Sequence, residues 1–190
     1  KDDSGFIFMI NFQDRDTLRH DMYGLQLQLN LRNETLCIPE QGTFTLPKDE
    51  SMILPFNLML GSARLRYATA QPLMKINDNG IDHYIFFAPE GMKPEYCFDA
   101  RTVKGKVKYA VTSGLKSTIT VTPRNGKKTK ITTLNHEQAL NAIKVDGQLL
   151  ITTATVLPTA EGITLQQLGN NAFDYILYPC LLYTSDAADE

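Results

Sequence analysis

Acidic side chains are the groups that most often carry out hydrolysis, and three glutamates stand out in this sequence. Glu34, Glu90 and Glu95 lie in predicted loops or at the starts of predicted strands. Two carboxylates that cooperate in glycoside hydrolysis meet only in the folded protein, so their spacing along the chain does not identify them. Since exposed carboxylates are the default in globular proteins, we expect a structural or solvated role for each of the three.

The three histidines, His20, His83 and His136, are scattered through the chain. None has a second histidine four residues away, so the spacing of a metal site is absent. His20 lies in a polar loop, His83 near a turn and His136 at a predicted helix start, and we expect surface or capping roles for them. The residues alone therefore predict no catalytic residue, no cofactor-binding residue and no metal site.

The three cysteines and two strand arginines complete the set of reactive or charged candidates. Cys37, Cys97 and Cys180 are far apart and odd in number, which predicts neither a disulfide framework nor a zinc site. Cys37 and Cys97 lie in apolar strand patterns and are expected to be small core residues. Arg64 and Arg66 lie on the outer face of a predicted strand. There they could bind an anion, protect a sheet edge or pair with neighbours across a domain interface.

Composition excludes several classes of partner. The 190 residues include 19 basic and 21 acidic side chains, for a net charge of −2. This balance provides no field that would hold a nucleic-acid backbone or an anionic membrane. The longest apolar run, residues 175–183, is interrupted by Pro179 and is shorter than the roughly 20 residues that a membrane span needs. We therefore expect no nucleic-acid partner and no membrane span. No Gly-rich phosphate loop is present either, so no cofactor is expected.

Short apolar segments with a period of two and turn residues between them run through the first hundred residues. Leucines alternate with polar residues over residues 25–32, and the Asn79-Gly80 pair is typical of a tight hairpin turn. Residues 5–12 are apolar at both parities and are expected to form a strand covered on both faces. Pro55 is expected at the start of a strand or in an edge strand. The pattern predicts a mostly β protein of the antiparallel sandwich or jelly-roll type.

One short helix is predicted near residues 135–145. Asn135 is a good N-cap, and Gln138 three residues later is a capping-box partner. The predicted apolar face of this helix consists of Ala139, Leu140 and Ile143. The Asp146-Gly147 turn is expected to end it. Strands are predicted on both sides of it, over residues 106–111, 117–122, 129–133, 149–156, 163–168 and 173–178.

Changes in composition along the sequence predict the boundaries of its domains. We expect a sandwich lobe over residues 1–99 and, over residues 100–179, a second β lobe or a continuation of the first. Residues 180–190 resemble the translated sequencing-adapter tails of truncated metagenomic reading frames, so we predict a non-native tail; a frayed natural terminus is the alternative. The start of the chain lacks an initiator Met and runs straight into a strand, which is typical of an internal fragment.

Aromatic residues raise the possibility of a carbohydrate-binding platform, on which flat rings stack against sugars. Eight Tyr and nine Phe are available, but there is no Trp. Most of them lie in alternating or apolar patterns. Core packing is therefore the favoured interpretation of these aromatic residues.

Several segments occur in a recognisable order: Gly5–Phe8 continuing to Asn11–Gln13, Pro55–Asn57, Tyr67–Pro72, Phe86–Phe87, Pro94–Tyr96 and Glu137–Ala142. Together they resemble the β-sandwich region of family 35 glycoside hydrolases, the bacterial multidomain β-galactosidases. The resemblance covers nearly all of residues 4–179. Two positions depart from it, because a second Asn is expected where Ile10 stands and a Trp where Leu54 stands.

The resemblance implies the chemistry of a retaining enzyme that removes terminal β-linked galactose with two glutamates roughly 5 Å apart. In that family both glutamates lie on an N-terminal (β/α)₈ barrel, and no strand–helix alternation is present here to build one. The resemblance therefore implies a non-catalytic sandwich, inactive alone, that packs on the missing barrel of the same chain. It also implies a galactoside bound by that barrel and a periplasmic or secreted location. The alternative is an independent carbohydrate-binding or surface-adhesion sandwich.

Overall fold

The computed structural model describes residues 3–15, 20–160, 162–167 and 173–178. Within them the chain forms eighteen strands and one short helix. It has two compact units, Lys1–Ala139 and Leu140–Glu190, which are described separately below. The lobe boundary expected near residue 99 stays a prediction. The predicted tail at residues 180–190, including Cys180, lies outside the described residues.

The first unit is built from thirteen strands. They are β1 (Gly5–Ile10), β2 (Met22–Leu25), β3 (Leu27–Asn30), β4 (Thr35–Ile38), β5 (Phe44–Leu46), β6 (Ser51–Leu60), β7 (Ala63–Ala68), β8 (Gln71–Asp78), β9 (Ile81–Phe87), β10 (Glu95–Phe98), β11 (Lys108–Ala110), β12 (Thr118–Val121) and β13 (Thr129–Leu134). The helix α1 (His136–Leu140) follows β13 in the chain.

A five-stranded antiparallel sheet forms the centre of this unit, in the order β1-β6-β7-β10-β11. Pro55 lies in the interior of β6, which pairs with a strand on each side, so its expected place at a strand start or edge is wrong. The strand is irregular two residues later, where Asn57 has a φ of 51°. Proline in a sheet is tolerated at such irregularities, because the regular ladder is already interrupted there.

A four-stranded sheet lies in the order β12-β13-β9-β8. The β8–β9 hairpin turns at Asn79 and Gly80, whose φ angles of 51° and 81° are those of the tight turn that the sequence predicts. The strands predicted over residues 117–122 and 129–133 are also confirmed, and β12 and β13 pair as an antiparallel hairpin. However, β9 and β13 pair in parallel. The chain runs through β10, β11 and β12 between them, which provides the long crossover that a parallel pair requires.

Two clusters of buried side chains lie within the first unit, and the five-stranded sheet contributes to both. The sheet–sheet cluster joins the five-stranded and four-stranded sheets and contains Leu60, Ala63, Leu65, Ala68, Ala70, Phe86, Tyr96, Phe98, Val103, Val121 and Ile131. The hairpin cluster joins the five-stranded sheet to the β2–β5 and β3–β4 pairs and contains Leu36, Ile38, Phe44, Leu46, Met52, Leu54, Tyr67, Met92 and Cys97. This layering is that of a β-sandwich.

The alternating leucines near the start of the chain form two short strands rather than one. β2 pairs with β5 and β3 pairs with β4, and the break falls at Gln26, whose side-chain amide donates to the carbonyl of Pro39 at 2.9 Å. Leu27 and Leu29 are half-buried while Gln28 and Asn30 are exposed. The alternation of buried and exposed residues predicted over residues 25–32 is therefore confirmed, but the segment is divided between two strands.

The first strand differs from its prediction. Ile7 and Met9 of β1 pack against the hairpin cluster, opposite Leu54 and Met52 of β6. The alternate side chains of β1 face outward and are exposed. The expectation that this strand is covered on both faces is wrong, because a run that is apolar at both parities does not reveal which of its faces the rest of the chain covers.

The second unit contains five strands, β14 (Ala142–Val145), β15 (Gln148–Thr152), β16 (Thr155–Thr159), β17 (Gly162–Gln166) and β18 (Tyr175–Tyr178). β14, β15 and β18 form a three-stranded antiparallel sheet, and β16 and β17 form a hairpin. The segment predicted as one strand over residues 149–156 is therefore two strands with different partners.

The helix α1 begins as predicted but is shorter. The amide N–H of Gln138 donates to Asn135 Oδ1 at 2.8 Å, and the amide N–H of Asn135 donates to Gln138 Oε1 at 3.2 Å, which is a capping box. The helix ends at Leu140, and Ile143 lies in β14 rather than on a helical face. Ile143 pairs with β15 although its spacing suits a helix. The Asp146-Gly147 turn joins β14 and β15.

The fold class predicted from the sequence, a mostly β protein of the sandwich type with one short helix, is confirmed. Among the residues that the structure describes, no helix is long and apolar enough to cross a membrane.

Candidate functional site

An ion-pair cluster on the five-stranded sheet joins several charged side chains of the first unit. Arg66 of β7 contacts two carboxylates, with 2.9 Å from Nη2 to Glu34 Oε2 and 3.2 Å from Nη1 to Glu40 Oε1. Glu34 precedes β4 and Glu40 follows it, so one guanidinium holds both ends of that strand. Partly exposed pairs of this kind each contribute about 0–1 kcal/mol, and their value here is in positioning β4.

The second part of this cluster is a buried tyrosine with a charged acceptor. The ring of Tyr67 is fully buried, and its hydroxyl donates to Glu95 Oε1 at 2.6 Å. The same hydroxyl accepts from the backbone N–H of Glu40 at 3.1 Å. Lys108 of β11 lies 3.5 Å from the other carboxylate oxygen of Glu95. Burial and the bond to Glu95 raise the pKa of Tyr67 well above its ordinary value, so this phenol remains protonated and acts as a donor.

Cys97 is the nucleophilic side chain nearest to this cluster. Its thiol is buried and donates to Glu40 Oε1 at 3.8 Å. Burial, together with the nearby Glu40, raises the pKa of Cys97 to about 11. Because the thiolate is the reactive form, Cys97 is a poor nucleophile at neutral pH. Cys97 is a core residue as predicted, whereas Cys37 is only half-buried and belongs to neither buried cluster.

Two open clefts adjoin the ion-pair cluster. The larger, of about 780 Å³, is lined by Phe44, Thr69, Met92, Glu95, Val111 and Ser113 among others. The smaller, of about 490 Å³, has Glu34, Glu40, Arg66, Cys97, Arg101 and Lys108 in its wall. The charged groups of the smaller cleft are partnered with one another: Arg66 with both glutamates, and Arg101 with Asp99 at 2.7 Å. Ion pairs between these side chains therefore have a structural role.

An apolar surface lies on the outward face of β1 and just beyond it. Phe6, Phe8, Ile10 and Phe12, here called the β1 stripe, have relative exposures of 44%, 69%, 64% and 55%. β1 is also the edge strand of its sheet. Large apolar side chains scattered singly on a surface need no explanation, but a contiguous row of them marks an interaction surface.

The family model described as beta-galactosidase, domain 2, matches residues 1–168. The chain belongs to this family. No curated protein matches the chain. The match spans the whole first unit and continues into the second, so the segments on which the resemblance rested lie within it.

As a beta-galactosidase domain 2, the chain is one domain of a larger polypeptide, and the match supports a non-catalytic domain. The glutamates singled out from the sequence have different partners in this domain. Glu34 is held by Arg66, Glu95 by Tyr67 and Lys108, and Glu90 is exposed in the loop after β9. Among the described residues, no group of three or more histidines, cysteines or carboxylates could hold a metal ion.

The histidines of domain 2 are distributed as the sequence suggests, with one exception. His20 is exposed in a loop, and His136 begins α1 with its ring stacked on Phe87 at 6.4 Å between centroids. His83, expected at the surface, is fully buried in β9, and its Nε2 lies 2.8 Å from the hydroxyl oxygen of Thr132. Burial lowers the pKa of His83 to about 4. The expected surface role of His83 is wrong.

Sequence reasoning missed the β1 stripe and the Tyr67–Glu95 bond. A signal for the stripe was present, since aromatic and aliphatic side chains recur at every second residue from Phe6 to Phe12. The bond joins residues 28 positions apart, from two strands whose pairing the sequence does not reveal.

Proposed function

We propose that this chain is the non-catalytic β-sandwich of a retaining exo-β-galactosidase of glycoside hydrolase family 35. It packs on the catalytic barrel of its parent polypeptide and supports it, while the barrel hydrolyses terminal β-galactosides. The match of residues 1–168 to beta-galactosidase domain 2 is the observation that carries this proposal. The proposed parent enzyme is secreted or periplasmic.

The surface of the domain supports an accessory role over the alternative of an independent carbohydrate-binding or adhesion module. A row of four exposed apolar side chains suits a domain that packs on a neighbouring domain, since contiguous apolar surface marks interaction sites. The charged groups near its smaller cleft are engaged with each other, which favours a scaffold over a glycan-binding surface.

The test compares two polypeptides, this chain alone and the parent polypeptide that contains it, on a chromogenic β-galactoside. We expect hydrolysis by the parent polypeptide and none by the isolated chain. Turnover by the pure isolated chain, or a parent polypeptide that hydrolyses no β-galactoside, would contradict the proposal.

Glutamine variants of the three candidate glutamates provide a matched control in the parent polypeptide. A catalytic carboxylate contributes roughly 10²–10⁴-fold, so Glu34→Gln, Glu90→Gln and Glu95→Gln should each leave kcat within about threefold. Loss of activity in one of them, with the fold intact by circular dichroism, would place a catalytic group in this domain.

A further inference from the structure

The turn between β3 and β4 carries a three-residue pattern to which sugars are attached in secreted proteins. Asn33-Glu34-Thr35 fits the pattern Asn-x-Ser/Thr, in which x is any residue except proline. It is the only such triplet in the 190 residues of the sequence. Because so short a pattern also occurs by chance, its position in the fold decides whether it can serve as an acceptor, and an acceptor lies on a surface loop.

The structure places this triplet at the tip of a hairpin. β3 and β4 pair in antiparallel fashion, and across the turn the N–H of Leu31 donates to the carbonyl of Glu34 at 2.9 Å. Asn33 lies within this turn. Residues 32–35 are all exposed, whereas Leu31 packs against the hairpin cluster. One apolar side chain therefore anchors the turn, and its polar residues are presented to solvent.

The side-chain amide of Asn33 is available for modification. Within the part of the chain that the structure describes, it forms no hydrogen bond, whereas its neighbours are engaged. Glu34 contacts Arg66 at 2.9 Å, and the hydroxyl of Thr35 donates to Asn30 Oδ1 at 3.3 Å. A sugar attached to Asn33 Nδ2 therefore replaces no contact of the folded domain.

An open cleft of about 400 Å³ adjoins the turn and includes Asn33 in its wall. Leu31, Asn57, Arg64 and Arg101 also line it. Most of these side chains are polar, which suits the hydroxyl groups of a sugar. The first sugar of a glycan therefore has room beside the turn, and the hairpin does not have to move.

We propose that Asn33 is the attachment site of an N-linked glycan in the parent polypeptide. The proposal rests on the proposed function in one respect, namely the secreted location of the parent enzyme, because this modification belongs to surface loops of secreted proteins. It adds a modification site to domain 2 and states the chemical class of the group that is attached.

The attachment requires a lipid-linked oligosaccharide donor and its transferase, and it involves no oxidation or reduction. Asn33 Nδ2 forms a C–N bond to the anomeric carbon of the first sugar. The bond between that carbon and a phosphate oxygen of the lipid carrier breaks, and the phosphate leaves with the electron pair. The amide nitrogen loses one proton to solvent. The hydroxyl of Thr35 is the second group that the acceptor pattern requires.

A glycan on Asn33 also restricts how domain 2 contacts its neighbours. N-linked glycans are bulky and strongly hydrated, so the residue that carries one remains at a solvent-facing surface. The β3–β4 turn is therefore excluded from the interfaces between domain 2 and the other domains of the parent polypeptide.

The test is peptide mass spectrometry of the parent polypeptide purified from its natural source. Peptide N-glycosidase in heavy-oxygen water removes the glycan and converts its asparagine to a labelled aspartate. Trypsin then cuts after Arg32 and Lys48, so residues 33–48 form one peptide in which Asn33 is the only asparagine. We expect the label on this peptide in most copies, and no label when the glycosidase is omitted. An unlabelled peptide, or a label that does not require the glycosidase, would overturn the proposal.

Two variants at Thr35 provide a matched comparison, since this side chain is exposed and its replacement is expected to leave the circular dichroism spectrum unchanged. Thr35→Ser keeps the hydroxyl and should keep the label, whereas Thr35→Ala should remove the label although Asn33 is still present. Asn30 is the internal control, because it is exposed in the same hairpin but is followed by Leu31 and Arg32. A label on Asn30, or a label that persists in Thr35→Ala, would show that the label does not report a glycan and would contradict the assignment.

The same preparation separates the glycan from the proposed function. Hydrolysis of a β-galactoside by a parent polypeptide with an unmodified Asn33 would refute the glycan and uphold the function. A glycan on Asn33 of a parent polypeptide that hydrolyses no β-galactoside would do the reverse.

Discussion

The hydroxyl of Tyr67 offers the sharpest test of how the ion-pair cluster stabilises the first unit. Tyr67→Phe removes one oxygen from a ring that is otherwise fully buried in the hairpin cluster. That oxygen donates to Glu95 at 2.6 Å and accepts from the N–H of Glu40 at 3.1 Å. The substitution therefore keeps the packing of the ring and leaves a carboxylate oxygen and a backbone N–H without this partner.

The magnitude follows from the charge and burial of the acceptor. A hydrogen bond to a charged group contributes about 1.5–3 kcal/mol, and Glu95 keeps its contact with Lys108. We therefore expect Tyr67→Phe to lower the free energy of unfolding by about 2 kcal/mol. Two other tyrosines calibrate this value. Tyr96 is buried and shares a neutral bond of 2.7 Å with Thr133, and Tyr84 accepts one exposed bond of 2.9 Å from the N–H of Gly61.

The assay is urea denaturation of the three Tyr→Phe variants, followed by circular dichroism. We expect losses of about 2 kcal/mol for Tyr67→Phe, about 1 kcal/mol for Tyr96→Phe and less than about 0.5 kcal/mol for Tyr84→Phe, in that order. In a chain of this size the first should lower Tm by roughly 4–8 °C. A loss for Tyr67→Phe no larger than that for Tyr84→Phe would refute the reasoning, because the charged, buried bond would then contribute nothing.

Two further predictions concern the buried histidine and the helix cap. Burial lowers the pKa of His83 from 6.5 to about 4. The folded protein therefore binds the proton less tightly than the unfolded chain does, and the contribution of the neutral ring to stability is complete above pH 6.5. As the pH falls from 6.5 to 4, we expect the free energy of unfolding to decrease by roughly 3 kcal/mol. In urea titrations His83→Gln should flatten that pH dependence, and an unchanged slope would contradict the assignment. Asn135→Ala should lower the free energy of unfolding by about 1 kcal/mol in the same measurement, and Gln138→Ala by less, because Asn135 provides the main cap. If both variants were as stable as the unmodified chain, this prediction would be contradicted.

The features that the sequence predicts correctly are local. The Asn79-Gly80 turn and the capping box of Asn135 and Gln138 depend on residues within three positions of each other, and their chemistry is decided there. The period-two pattern likewise predicts that Leu27 and Leu29 share a face. Turn chemistry and period together were sufficient to predict the β-sandwich class.

The features that the sequence does not reveal depend on how strands pair and pack in the folded protein. Ile143 joins a strand because β15 pairs with it, although its spacing suits a helix. His83 is buried in β9, where its ring contacts Thr132 of β13, 49 positions further along the chain. Pro55 lies within a central strand because β6 pairs with β1 on one side and β7 on the other. In each case a tertiary contact overrides a local preference.

The candidate site follows the same division. The contacts of Arg66 with Glu34 and Glu40 join residues 32 and 26 positions apart, so no sequence motif predicts them. The sequence shows that the outward face of β1 is apolar. It does not reveal that this face is uncovered, because both sets of alternating residues are apolar and either set could face the core.

The shared sheet between the two buried clusters has a consequence for how the first unit comes apart. β6 contributes Met52 and Leu54 to the hairpin cluster and Leu60 to the sheet–sheet cluster, while Tyr96 and Cys97 of β10 divide between them in the same way. Separation of the strands in this shared sheet disrupts both clusters at once, because each cluster takes side chains from them. We therefore expect the two clusters to melt in a single cooperative transition, in which damage to one cluster lowers the stability of the other.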